Sequence, residues 1–296
     1  MSHAAPKPGR VAPWIQTNWD LRAAGNFIGG GSGTGLLIAG AFAQAAGAAY
    51  RPFALAGLVL VAAGLFCVFL EIGRHLRAPN VVLHPHGSWM TREALVAPLL
   101  FGSGLAAAWW QTPGLVWLTA ALAAVYLYCQ SRILQAAAGI PAWREPRTIP
   151  LIVTTGLAEG AGLLVALLAV LGASLPLRWP ALALAALLVA RTAAWRRYRK
   201  RLQAPSRAIA ALDAGRIAFD RFGNWVAAPL AVIASVLEAG PVAAWLAAAA
   251  GVLAVAGGWH LKITLVTRAA YNQGFALPTM PVRGKGPAGA AAKPGW

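Results

Sequence analysis

Apolar residues run along this chain in long unbroken blocks, separated by short polar stretches rich in Arg, Pro, Gly and Trp. A continuous block of about 20 apolar residues is the length a helix needs to cross the hydrocarbon core of a bilayer. Strands of a membrane barrel would instead alternate between apolar and polar positions. The blocks predict helices over residues 23–50, 52–70, 148–172, 179–195, 222–238 and from Gly240-Pro241 to about residue 266. The uncharged stretch 94–131 is too long for one span, and Gln111-Thr112-Pro113-Gly114 divides it into two. The expected fold is therefore an all-α integral membrane protein with eight transmembrane helices in two four-helix bundles. The division is an N-terminal segment 1–22, a first bundle 23–138, a second bundle 139–267 and a flexible tail 268–296. Residues 208–222 mix apolar and charged positions and predict an interfacial helix.

Composition agrees with this class. Of 296 residues 59% are hydrophobic and only 11% are charged, where a soluble domain would carry about a quarter charged residues. The net charge of +17 would point to nucleic acid in a soluble protein. Here the cations flank the apolar blocks, so they set topology and meet anionic lipid instead. Of the 25 Lys and Arg residues, only Arg51 and Arg178 fall at the opposite ends of the predicted spans. The positive-inside rule then places both termini and the longer loops in the cytoplasm. The expected location is a bacterial inner membrane.

Several candidate chemistries are weak. The glycine-rich run from Gly25 to Gly35 lacks the GK[ST] ending of a phosphate loop and follows no strand. Gly25, Gly29 and Gly33 recur every four residues, which predicts a smooth helix face for close packing. Cys67 and Cys129 form no CxxC pair, so the chain holds no iron–sulfur cluster by itself. Only His260 lies well inside a span, which leaves a haem without two facing axial histidines. Residues 1–13 show no signal peptide. Glu159 and Glu238 lie in or beside apolar runs, as proton-path carboxyls or as hydrogen-bonded structural ones. Trp109, Trp110, Trp117, Trp179 and Trp195 are expected in the interfacial belt, and His260 with Lys262 forms a packing or interfacial pair.

The strongest site signal is where the second block ends, at Glu71-Ile72-Gly73-Arg74-His75-Leu76-Arg77-Ala78-Pro79-Asn80. A carboxyl at the end of a membrane helix is costly to place and marks a functional site by default. The bland alternative is a helix terminus with Glu71 paired to Arg74.

This segment, with Ser88-Trp89-Met90-Thr91-Arg92-Glu93, resembles the helix 2–3 loop of the NrfD/polysulfide-reductase and dimethyl-sulfoxide-reductase membrane anchor subunits. Ser131-Arg132-Ile133 and Ile140-Pro141-Ala142-Trp143 resemble the end of helix 4 and the loop after it. Residues 16–27 are similar to the opening of the phenylacetyl-CoA:acceptor oxidoreductase branch. The resemblance implies a subunit of a quinone-dependent oxidoreductase complex, with no haem, cluster or catalytic metal of its own. Its implied partners are a ferredoxin-like four-cluster iron–sulfur subunit and a molybdenum or tungsten bis-pterin catalytic subunit. It also implies a quinone, menaquinone or ubiquinone, held by Asn26, Glu71, Arg74, Tyr128 and Arg132, with Glu71 and His75 handling protons. Arg77, Trp89, Arg92, Trp143 and Arg144 are the expected docking residues, with arginine and tryptophan enriched at interface hot spots. The alternatives are a haem-free pure anchor and a proton-coupled transporter.

Overall fold

The computed structural model describes residues 12–72, 80–81, 86–171 and 177–274. Long helices dominate: α1 Leu21–Ala45, α2 Arg51–Glu71, α3 Trp89–Trp110, α4 Pro113–Gln135, α6 Thr148–Leu171, α7 Arg178–Arg201 and α10 Pro241–Ile263. A single turn, α5 Pro141–Arg144, precedes α6. Between α7 and α10 runs one composite rod: α8 Ser206–Arg216, a π-helical segment Ile217–Val226 and α9 Ala227–Val236. A second π segment, Thr264–Arg268, extends α10. Among the described residues the extended pairing is a single antiparallel bridge, Ile15 to Tyr271.

The helices start and stop where local chemistry dictates. Asp20 caps α1 by accepting the Arg22 backbone N–H at 2.7 Å, and Ser88 caps α3 by accepting from Thr91 at 3.3 Å. Proline opens the first turn of α2, α4 and α10, where its missing N–H costs nothing. Gln111 ends α3 in the left-handed region, φ 51°. Its side-chain oxygen accepts from Tyr50 N at 3.0 Å, and its backbone carbonyl accepts from Gln44 at 3.2 Å. That residue therefore ties the α1–α2 turn to the α3–α4 turn.

This is a membrane protein. Among the described residues five helical stretches are long and apolar enough to cross a bilayer: α2, α3, α4, α6 and α10 with its extension. Among the eight expected spans, α1 is diluted by glycine and polar residues, and α7 ends in Arg199-Lys200-Arg201. The seventh expected span differs most. There the helix starts at Ser206, so that the stretch expected at the interface is continuous with α9. The reason is its buried face: Ala208, Leu212 and Phe219 join the core with Leu261 and Leu265.

Small residues set the packing of α1. Gly25, Gly29 and Gly33 lie against Cys67, Gly64 and Val61 of α2, the smooth face the four-residue spacing predicts. A second stripe faces the other way. Gly35 meets Gly156 and Gly160 of α6 at backbone contact, and Gly31 lies over the Lys262 ammonium. Thus α1 is clasped between α2 and α6.

The interior beyond α6 is not purely apolar. Lys262 on α10 and Glu159 on α6 are both fully buried and pair at 2.6 Å. Ser32 donates to the same carboxylate oxygen at 2.7 Å, and Trp259 donates to Ser32 at 2.9 Å. Lys262 and His260 therefore form no pair, and Glu159 is a paired carboxylate. Arg191 on α7, also fully buried, donates to Asn224 at 2.7 Å, the Ala254 carbonyl at 2.8 Å and the Gly223 carbonyl at 2.5 Å. The π segment turns Asp220, Gly223 and Asn224 inward together for this contact. Trp195 also departs from expectation. It packs inside on Tyr198 and Phe219, whereas Trp109, Trp110, Trp117 and Trp179 are exposed as belt residues would be.

Candidate functional site

Glu71, at the last turn of α2, opens onto a cavity of about 260 Å³ between α1, α2, α3 and α4. Asn26 and Phe27 of α1 line one wall, Val68 and Phe69 of α2 another, and Met90 and Glu93 of α3 a third. Trp19, from the segment before α1, and Ile133 complete it. Two carboxyls thus share one cavity: Glu71, half-buried, and Glu93, 6% exposed.

Glu93 is the residue that sequence reasoning missed, along with its surroundings. Tyr126, Gln130 and Asn26 present their side chains to its carboxyl. Gln130 donates to the Asn26 carbonyl at 3.0 Å. These groups face one another, but Glu93 Oε1, Asn26 Oδ1, Gln130 Oε1 and the Tyr126 hydroxyl complete no hydrogen bond of normal geometry among the described residues. Leaving one such buried group unmade costs about 1–3 kcal/mol, and native interiors satisfy nearly all of them. Of the four, Glu93 and Asn26 line the cavity and suit a ligand with carbonyl or hydroxyl groups, while Tyr126 and Gln130 stand behind Glu93. The signal was present in sequence: Tyr126 and Gln130 are four apart on α4, hence on one face.

At the mouth, Arg22 bonds the Leu70 carbonyl at 2.8 Å and pairs with Asp20 at 2.9 Å. The Arg22 side chain holds the Asp20 carboxyl below its usual range. Both charges act on Glu71.

Tyr128 does not line the cavity. It is 41% exposed, packs edge-on against Trp89 at 5.7 Å, and its hydroxyl accepts from Arg132 at 3.1 Å. Arg92 and Arg132 lie over the Trp89 ring, 4.0 and 4.5 Å from its centroid. Trp89, Arg92, Tyr128 and Arg132 therefore form one stacked group on the outer side of α3 and α4. Trp143 is no surface residue. It is 3% exposed, stacks on Trp19 at 4.9 Å and donates to the Leu265 carbonyl at 2.8 Å. Arg144, half-buried, binds the Ala138 carbonyl at 3.0 Å and Gln273 at 2.7 Å. Arg74, His75 and Arg77 lie outside the described residues.

The cavity offers an acid, a second acid and an amide in an apolar surround, with the Tyr126 phenol behind Glu93. That set can bind a neutral ring bearing two oxygen functions and exchange protons with it. No protein-family model and no curated protein matches the chain.

Proposed function

We propose that this chain is the quinone-reactive membrane anchor of a molybdenum or tungsten iron–sulfur oxidoreductase complex, with eight spans in two four-helix bundles and both termini cytoplasmic. The observation that carries the reading is the cavity shared by Glu71 and Glu93, with Glu93 Oε1 and the Asn26 side-chain oxygen unpartnered on its wall. A quinone accepts or releases two electrons and two protons. The cavity residues fit its needs: a hydrogen-bond group for each oxygen and a proton route to water. Glu93, with Asn26 and Tyr126 beside it, holds the inner oxygen and the proton exchanged there. Glu71, nearer the mouth, exchanges its proton with water. Phe27, Val68 and Phe69 exclude water from the ring.

The implied iron–sulfur partner docks on the stacked group of Trp89, Arg92 and Arg132, which stands beside the cavity. The catalytic bis-pterin subunit binds that partner, and phenylacetyl-CoA oxidation is the reaction suggested by the N-terminal resemblance. Trp143 serves this reading from inside, by seating Trp19 over the cavity wall.

The test is the ratio of quinone-linked to dye-linked activity in membranes of matched subunit content. Glu71→Gln and Glu93→Gln each keep size and lose the titratable proton. Quinone turnover is expected to fall by roughly 10²-fold or more, while a dye that takes electrons from the clusters is reduced normally. An unchanged ratio in both variants refutes the quinone site and leaves a pure anchor.

A further inference from the structure

The last turns of α7 are densely basic, with Arg196, Arg197, Arg199, Lys200 and Arg201. The α8 and π segments face them across an open pocket of about 300 Å³. Arg196, Arg199, Lys200 and Arg216 line it with Asp213 and Asp220, over the buried ring of Trp195.

The two carboxylates are already engaged. Asp213 takes both Nε and Nη2 of Arg199, at 2.9 and 2.7 Å. Asp220 is 3% exposed and takes Arg216 at 3.3 Å and Asn224 at 3.4 Å. Arg196 and Lys200 have no hydrogen-bonded or ion-pair partner among the described residues, although the Arg196 guanidinium lies 5.3 Å over the Trp225 ring. Four cations against two carboxylates leave two positive charges converging on the pocket. Its volume is at the lower end of the roughly 300–1,000 Å³ of small-ligand sites. Directly beside it the surface turns apolar. Trp225 is 56% exposed, and Val189, two turns below Arg196 on the same face of α7, is 65% exposed.

We propose that this pocket binds an anionic phospholipid, its phosphate seated between Arg196 and Lys200 and its acyl chains lying against Trp225 and Val189. Basic pockets between membrane helices recognise anionic headgroups in this way, and an exposed tryptophan beside them marks headgroup depth. A free phosphate offers the same anion but makes no use of the apolar wall.

Native mass spectrometry of the full chain in neutral detergent, titrated with phosphatidylglycerol or phosphatidylcholine, tests the assignment. Phosphatidylglycerol is expected to bind preferentially. Arg196→Gln with Lys200→Gln should weaken it roughly 30-fold, from the loss of two interfacial cations, and leave phosphatidylcholine unchanged. Asp213→Asn, which releases Arg199 towards the pocket, should tighten phosphatidylglycerol binding. Arg178→Gln, at the other end of α7, should change nothing. Equal binding of the two lipids, or an unchanged double variant, overturns the proposal. So does displacement of phosphatidylglycerol by inorganic phosphate at equal concentration, which assigns the pocket to the free ion. If the double variant does not fold, Lys200→Arg and Asp213→Asn decide: binding must be kept in the first and tightened in the second.

Discussion

Lys262→Met removes one charge from the most deeply buried ion pair among the described residues and nearly preserves side-chain volume. Both partners have no solvent exposure, and their separation is 2.6 Å. Desolvating each ion is costly, and mutual attraction offsets that cost only while both are present. Removing either partner leaves an uncompensated buried charge, which costs about 3–5 kcal/mol. In Lys262→Met the Glu159 carboxylate keeps the Ser32 hydroxyl at 2.7 Å as its remaining donor. In Glu159→Gln the ammonium is left facing a neutral amide over Gly31. The double variant Glu159→Gln/Lys262→Met has no stranded charge and should be more stable than either single one. The assay is thermal unfolding of the purified chain, read by a thiol-reactive dye at Cys129, which is 3% exposed in the folded state. Each single variant should lower the midpoint by roughly 6–20 °C, and the coupling in the double-mutant cycle should be at least about 3 kcal/mol. Additive losses, or a double variant worse than both singles, would refute the account of Lys262 and Glu159 as a mutually dependent pair.

Other outcomes follow from the same geometry. Gly160→Leu drives a side chain into the Gly35 backbone and should cost at least about 3 kcal/mol, the upper range for overpacking, seen as loss of folded chain in membranes. Trp143→Ala should destabilise the chain itself by about 3–5 kcal/mol, whereas Trp143→Phe should cost about 1 kcal/mol for its lost bond to the Leu265 carbonyl. Thermal unfolding distinguishes the two, and partner release from an otherwise stable chain would contradict the burial of Trp143. Cysteines placed near residues 200 and 290 should be shielded from impermeant thiol reagents in intact cells, and one at Trp245 should label. The reverse pattern inverts the topology. The Arg199 hydrogen bonds hold the Asp213 carboxyl below its usual range, so this pair contributes above about pH 3.9, the unfolded value. That contribution is lost as pH falls through the lower folded value. With Asp213 48% exposed it amounts to no more than about 1 kcal/mol. Asp213→Asn should flatten that limb of a stability–pH curve.

Block length, helix stops and charge flanks determined the class of this protein and the edges of most helices. Those signals are local: an apolar run, a proline or Gln111-Thr112-Pro113-Gly114 acts on its own neighbours whatever the fold. The face of α1 carrying Gly25, Gly29 and Gly33 was legible for the same reason, since a four-residue period is a property of one helix. Asn26 and Glu71 were also marked by local chemistry, a polar group in an apolar segment and a carboxyl at its end. Tertiary structure decided the rest. Glu93 reads as one more charge in a loop until α3 turns it into the cavity towards Tyr126 and Gln130, while Tyr128, two residues along α4, is turned out towards Trp89. Trp143 and Trp195 have the same composition-level signal as the belt tryptophans, and only the neighbours supplied by Trp19, Leu265, Tyr198 and Phe219 bury them. Lys262 and Arg191 read as topology-setting cations near helix ends. Their burial depends on partners 103 residues away at Glu159 and 33 residues away at Asn224. A charge can be buried only where its counterpart is delivered, and delivery over such distances is a property of helix packing, not of any window of sequence.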